Sequence, residues 1–409
     1  MCGQAELKNN KINFAWPVTS CNKEDYDAFS QYMQEHPSMF SHNRIAIWGA
    51  GIRGTEFSLF FERNHFRDIF FVDNNPEKWG GFINDYPIIS PGQLDEKMNR
   101  GQVRILISTE ESRDIEGQLT AKGYSRNRDF FTIKSGLYDK YMEEFEREYD
   151  CGTLFLGDCE FSKISISDKD MDNLGEMLKK RGGKRQIKVL AMHGMGIRSF
   201  YHILCAQISA GMKPMRLVLM VNLDTLTGKQ HLLPRSQHEE LLQRIYRLST
   251  SKNEEFQEYL HAVHQRSKNH QIEFFTRNLS GKEMSEQKAK NYFRLNYMYE
   301  LDIQTEGMAY LQKILRLARN ENITATAFIP PINYVFAERL WGAKFHDQYL
   351  QNIEKIRTVV IAEQSAFLDL SFCMDPELFA MPNTPDETAN EQGRKRLTDL
   401  LFRAIQEEI

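Results

Sequence analysis

Several groups of residues along this chain have types and spacings that can do chemistry. Gly49, Gly51 and Gly54 stand at G-x-G-x-x-G spacing directly after the apolar run RIAIW, and Asp73 follows 19 residues after Gly54. Glycines so placed permit a tight turn and let backbone N–H groups approach a phosphate at the start of a helix. A carboxylate at the end of the next strand can accept hydrogen bonds from a ribose diol. The same residues also suit a purely architectural role, close strand–helix packing with Asp73 capping the turn DNNPEKWG. The residues alone leave both open. Further along, Gly157-Asp158-Cys159 follows the run TLFL. A thiol at a strand end is a nucleophile when a base or a helix N-terminus lowers its pKa, and otherwise a small buried residue. His193 and His346 are candidate bases, or satisfied histidines with no chemical part. Arg198 can pair bidentately with a carboxylate or phosphate. His261 and His264, three apart on a helix, lack a third metal ligand and read as a solvated face. The basic clusters KKRGGKR and GRKRL can hold an anion or simply end helices.

These residues need elements to position them. After a leader and one helix (residues 1–43), the chain alternates strand, glycine turn, helix, strand through RIAIW, TEFSLFFERN, IFFVD and VRILIST. That is a Rossmann-like βαβ domain over 44–134. An acidic, aromatic connecting helix occupies 135–150. A second alternation fills 151–409, with strands in TLFLGDC, IKVLAMHG, RLVLMVNLD, ITATAFIPP and AFLDLS, interrupted by a charged helical insertion at about 225–290. The expected fold is α/β: two doubly wound parallel-sheet domains, the first Rossmann-like and the second flavodoxin-like, with function at the carboxyl ends of the strands.

Composition narrows the function classes. In 409 residues, 52 basic side chains against 56 acidic ones give a net charge of -4, so no overall basic field attracts nucleic acid or anionic lipid. A mean hydropathy of -0.53 and the lack of a long apolar run argue against a membrane span. The N-terminus lacks the apolar core of a signal peptide, and the expectation is a cytoplasmic, bacterial protein. The 6 cysteines are scattered without CxxC spacing and read as reduced thiols.

Two resemblances sharpen the expectation. The segment FVDNNPEKWGGFINDYPIISPGQL, within residues 43–133, resembles the small Rossmann-like nucleotide-binding domains found beside sugar acyltransferases and glycosyltransferases of bacterial surface-polysaccharide pathways. The likeness implies a nucleotide, a nucleotide-sugar or NAD(P) at Gly49, Gly51, Gly54 and Asp73, or a platform without a ligand. TLFLGDCEFS resembles the first block of SGNH (GDSL-type) hydrolases, with Cys159 in the place of the nucleophilic serine and Asp158 holding the turn. HGMGIRSF then offers Gly194 and Gly196 where that family supplies an oxyanion-hole N–H. VNLD offers Asn222, with Asp224 after it, where the family has an oxyanion-donating asparagine. IPPIN and DLS follow the fourth and fifth strands as in the cell-envelope branch related to D-alanine transfer proteins. The family's last block, D-x-x-H, is here TPDETA: Asp386 is present, and Ala389 stands where the general base would be.

The resemblance implies an SGNH-like esterase or acyl-transfer enzyme acting on an acylated glycan, nucleotide-sugar or carrier. Cys159 would be the nucleophile, Gly194, Gly196 and Asn222 the oxyanion donors, and Asp386 or His193 the orienting or basic group. Arg198, Asn333 and His346 would face substrate, and partner enzymes of a biosynthetic cluster would act alongside. A catalytically degenerate glycan- or nucleotide-sugar-binding scaffold is the alternative. An NAD(P)-dependent oxidoreductase is a third reading, without a Tyr-x-x-x-Lys pair to support it.

Overall fold

A computed structural model of the chain describes residues 20–40, 44–97, 103–109, 112–148, 152–184, 186–226, 238–249, 253–268, 286–385 and 387–406. The start of the leader, Asp386, and the stretches 227–237 and 269–285 of the expected insertion lie outside the described residues. The chain divides into two units, residues 1–137 with 273–285, and residues 138–272 with 286–409. Both are α/β and built on parallel strands.

In the first unit the apolar runs become strands β1 (Arg44–Trp48), β2 (Asp68–Val72), β3 (Phe82–Ile83), β4 (Tyr86–Ile89), β5 (Arg104–Ile107) and β6 (Phe130–Thr132). Their order across the sheet is β3-β4-β2-β1-β5-β6, parallel except for the hairpin of β3 and β4. Asn84 and Asp85 turn that hairpin at positive φ, 47° and 66°, the geometry of a type I′ turn. The hairpin is unannounced by alternation because its strands are too short to carry a period. Helices α1 (Lys23–Glu35), α2 (Ile52–Arg63) and α3 (Arg113–Ala121) join the sheet. Phe29 of α1 packs against Phe57, Phe60 and Phe61 of α2, with the Phe61 ring 4.9 Å away and perpendicular.

The second unit carries helices α4 (Leu137–Glu146), α5 (Leu174–Gly182), α6 (Ile197–Ser209), α7 (Glu239–Leu248), α8 (Glu254–Lys268), α9 (Glu286–Asn296), α10 (Glu306–Asn320), α11 (Tyr334–Trp341), α12 (Ala343–Ala362) and α13 (Glu391–Gln406). The strands of its five-stranded sheet are β7 (Thr153–Gly157), β8 (Ile187–Ala191), β9 (Arg216–Met220), β10 (Thr324–Ile329) and β11 (Ala366–Asp369), all parallel in the order β8-β7-β9-β10-β11. This is the 2-1-3-4-5 order of flavodoxin-like sheets, in which the crevice lies outside the carboxyl ends of the strands. Register decides what meets there. Ala191 pairs with Gly157, and Leu219 with Leu156. The segments leaving β7, β8 and β9 therefore emerge side by side, carrying Asp158–Cys159, His193 and Asn222.

Two buried cations hold the surrounding helices. Lys188 of β8 is fully enclosed, and its ammonium donates to Phe145 O at the end of α4 (2.8 Å) and to Gln207 Oε1 of α6 (3.0 Å). Burial pulls its pKa down to about 8. Arg394 of α13 is 1% exposed and pairs with Asp168 (2.6 Å) while donating to the carbonyls of Asp172, Asp170 and Ala389. The GRKRL cluster thus contains a structural clamp. Lys395 beside it pairs with Glu391 one turn back. Because removing one partner strands the other's charge, Arg394→Met should lower stability by about 3 kcal/mol. Urea unfolding of the variant checks this.

His202 of α6 is fully buried, stacked between Phe256 (4.6 Å) and Tyr259 (4.7 Å) of α8, and neither ring nitrogen has a hydrogen-bond partner. Desolvation pushes its pKa from 6.5 down to about 3. The unfolded chain therefore takes up a proton below 6.5 that the folded one refuses. Stability should fall as pH drops from 6.5 toward 3, by up to about 1.4 kcal/mol per pH unit from this residue. His202→Phe should flatten that part of the profile, read by denaturant melts from pH 7 to pH 4.

Candidate functional site

At the strand ends of the second unit, local sequence fixes the turn after β7. A Cβ on Gly157 would lie 2.4 Å from the Phe161 ring, so only glycine lets that ring fold under the strand. Asp158 caps the short helical turn Cys159–Phe161 by accepting from Glu160 N (3.0 Å). It also accepts a hydrogen bond from the Cys159 thiol. At the second strand end Gly194 sits at φ 75°, a conformation that favours glycine, and Gly196 is the N-cap of α6 in extended backbone.

The residues gathered at this edge are mostly carboxyls. Asn222, 4% exposed, donates from Nδ2 to Glu387 Oε2 (3.0 Å) and accepts from Asp224 N (3.4 Å). Glu387 is 8% exposed, and its Oε1 is buried without a hydrogen-bond partner. Burial pushes its pKa well above the usual carboxylate range, and Asp224, Glu160 and Asp158 add to the rise by repulsion. Asp158 is likewise pushed up to about 7, by burial first and then by Asp224. Asp158, Cys159 and Glu160 bring one potential ligand atom each within 4.8 Å of one another.

The thiol is shaped by the same surroundings. Burial drives the Cys159 pKa far up; Lys163 opposes the rise, while Asp158, Glu160 and Asp224 reinforce it. No imidazole stands among the groups that act most on it. His193 lies beside His238, ring to ring at 5.2 Å, and its carbonyl accepts from His238 Nε2 (2.6 Å). His346 stacks on Phe372 at 5.2 Å with its Nδ1 3.6 Å from Glu338. Arg198 pairs with Glu306 (3.0 Å) and lies over the rings of Tyr259 and Tyr310. Asn333 caps α11 and donates to the carbonyls of Pro382 (2.8 Å) and Thr384 (3.0 Å), so it pins the loop leading to Glu387. Asp386 lies outside the described residues. Ala389 is buried in the apolar cluster with Phe155, Phe161 and Leu397.

Glu160 and Glu387 are the site residues that motif reading passes over. Glu160 is masked by the G-D-C block beside it, and Glu387 by attention to the histidine position two residues later. Their signal is that each acid sits next to a residue that already ends a strand or precedes the last helix.

In the first unit, Gly49 takes φ 118°, and a Cβ on Gly54 would lie 2.0 Å from Gly49 O, so both glycines are needed for the turn. A Cβ on Gly51 would meet nothing within 4 Å. Asp73 accepts from Ala50 N, Asn75 N and Lys78 Nζ, each at 2.8 Å, and Lys78 also donates to Ala50 O. Trp79 Nε1 donates to Asp73 O (2.7 Å). The D-N-N-P-E-K-W segment is thus a self-contained brace of the glycine turn.

Among the described residues, no helix is long and apolar enough to cross a membrane. The raised thiol pKa yields a direct expectation. Cys159 should alkylate slowly with iodoacetamide at neutral pH, its rate climbing only above about pH 8.5, where an ordinary free thiol is already half ionised. Mass spectrometry of the labelled peptide over pH 6–10 checks this.

No protein-family model matches the chain, and no curated protein matches it. A solved structure described as LAE5, an alpha/beta hydrolase enzyme from the metagenome of Lake Arreo, Spain, aligns with 63% of this chain and 96% of its own, at 11% identity and a TM-score of 0.30. At that score and identity the likeness carries no argument about activity.

Proposed function

We propose that the second unit is an SGNH-like hydrolase domain that cleaves an acyl ester by direct attack of water at the strand-end carboxyl cluster. The observation that carries the reading is Glu387: a buried carboxyl, held by the Asn222 amide, among Asp158, Glu160 and Asp224. The G-D-C turn and the 2-1-3-4-5 sheet support the domain assignment. The upward push on the Cys159 thiol pKa, from burial and the neighbouring carboxyls, favours water over a thiolate as the attacking group. Water oxygen forms the bond to the acyl carbon and the ester C–O bond breaks. A carboxylate of the cluster takes the proton from water and passes it to the departing alkoxide. The backbone N–H groups around Gly194 and Gly196 are the remaining candidates to hold the oxyanion, since the Asn222 amide is engaged with Glu387.

The substrate class follows from the resemblance of residues 43–133 to domains of surface-polysaccharide enzymes: an acylated glycan, nucleotide-sugar or carrier in bacterial, cytoplasmic metabolism. For the first unit, the engagement of Asp73 by Ala50, Asn75 and Lys78 favours a platform, or binding of a nucleotide-sugar by the glycine turn without a ribose carboxylate, over an NAD(P) site.

The experiment is hydrolysis of a panel of acetylated sugars and aryl esters. Glu387→Gln should lower kcat/KM at least ~100-fold, the usual scale for a positioned proton-transfer group. Cys159→Ala should keep most of the rate. Loss of activity in Cys159→Ala with retention in Glu387→Gln would return the thiolate mechanism and discard this one.

A further inference from the structure

The carbonyl that His238 holds belongs to the same peptide unit as the Gly194 N–H. Met195 N donates to Met192 O (3.2 Å), closing a four-residue turn after β8 with His193 and Gly194 in its middle. Gly194 takes φ 75° and His193 is not among the residues at positive φ, so the turn is type II. Types I and II differ chiefly by a flip of the middle peptide, here His193–Gly194. Glycine in the third position tolerates either orientation, so a group outside the turn has to choose.

His238 makes that choice. It is fully buried at the N-cap of α7, and its Nε2 donates to His193 O (2.6 Å). A carbonyl only accepts, so Nε2 carries the hydrogen. In the neutral ring Nδ1 is then an acceptor, facing the Tyr138 hydroxyl of α4 at 3.3 Å. One turn along α4, the Tyr141 hydroxyl donates to Met195 Sδ (4.0 Å), so the same helix braces the far end of the turn. The peptide is trans, and a trans peptide projects its C=O and N–H to opposite sides. With His193 O turned to His238, the Gly194 N–H is turned away from it. Among the described residues no acceptor meets that N–H. Gly194 is also partly exposed, whereas Met195 and Gly196 beside it are buried.

We propose that His238, steadied by Tyr138, is a positioning residue: by holding His193 O it fixes the type II orientation of the turn and presents the Gly194 N–H to the oxyanion of an ester under attack. Gly194, reached by solvent, takes that part in preference to the buried Gly196. A donor fixed before the reaction loses nothing to reorientation when charge develops on the acyl oxygen. The inference rests on the reading of this edge as an ester-cleaving site.

Of the 11 histidines, His193 alone precedes a glycine. The full chain labelled with ¹³C-carbonyl histidine and ¹⁵N-glycine therefore gives a single HNCO cross-peak, from this peptide. His238→Phe and His238→Met remove the donor, and His238→Gln returns an amide N–H near the position of Nε2; thermal melts show which variants fold. In a folded donor-less variant the His193 carbonyl signal should move upfield of that in His238→Gln. Its kcat on the ester panel should fall at least roughly tenfold at unchanged KM, because an oxyanion donor acts in the transition state. His238→Gln should recover most of the loss. A carbonyl signal the same with and without the donor would overturn the proposal, as would equal losses in His238→Gln and His238→Met. Methylphosphonate, a tetrahedral anion, separates this inference from the hydrolysis reading. It should move the Gly194 amide proton downfield in the wild type and not in the donor-less variants. That shift in a chain that turns over no ester discards hydrolysis and keeps the positioned donor. Ester turnover indifferent to His238 discards the positioning and keeps hydrolysis, and neither shift nor turnover sinks both.

Discussion

A carboxylate taken out of water must be met by donors, a cation or a proton, and the second unit of this chain is organised by how each of its buried acids meets that demand. Asp168 meets it with the Arg394 guanidinium, which also gathers the carbonyls of Asp170, Asp172 and Ala389. That one clamp ties the last helix to the loop after β7's turn and so frames the strand-end edge. Glu387, on the segment just before the same helix, has a single amide donor. The contrast separates an acid whose charge is held by a cation from one that burial and neighbouring acids push toward the neutral form.

The same contrast runs through the first unit. Asp73 sits where a ribose-binding carboxylate would sit, yet Ala50 N, Asn75 N and Lys78 Nζ surround it. Its neighbours Asn75, Lys78 and Trp79 form a brace in which each side chain has a partner within a few residues. A carboxylate so satisfied gains little from a diol, because every new hydrogen bond would displace an existing one. The glycines keep their meaning as close-approach positions whether or not a phosphate ever reaches Gly51.

Much of the α/β fold was legible because buried parallel strands read as short apolar runs between helices, and RIAIW, TLFLG and RLVLM became strands as they stood. The hairpin at Phe82–Ile83 and Tyr86–Ile89 was not, since strands of 2 and 4 residues are shorter than any pattern they could carry. At the site, Asp158 and Asn222 could be found from their positions after strands. Their meaning could not. Asn222 reads as a donor to an oxyanion, but its amide is aimed at Glu387, 165 residues away, and only the register of β7 and β9 and the path of the last loop bring the two together. Arg198 reads as a substrate ligand and instead lies over Tyr259 and Tyr310, because the helices carrying them pack against α6.

The alanine at position 389 then becomes intelligible as packing. Its side chain belongs to the apolar cluster beneath the sheet, and a Cβ on Gly393 would lie 3.0 Å from it and 2.3 Å from Leu378 O. The first turn of α13 therefore packs closely against both, with glycine at 393 leaving room for the contact. The Arg394 clamp, one residue beyond Gly393, holds that turn in place with a buried ion pair and three carbonyls. Close packing and a buried ion pair therefore give this position a structural part. Glu387 is two residues earlier, has its loop pinned by Asn333 and its carboxyl oriented by Asn222. A carboxyl so placed can hold or pass a proton, with an intrinsic acidity different from that of an imidazole.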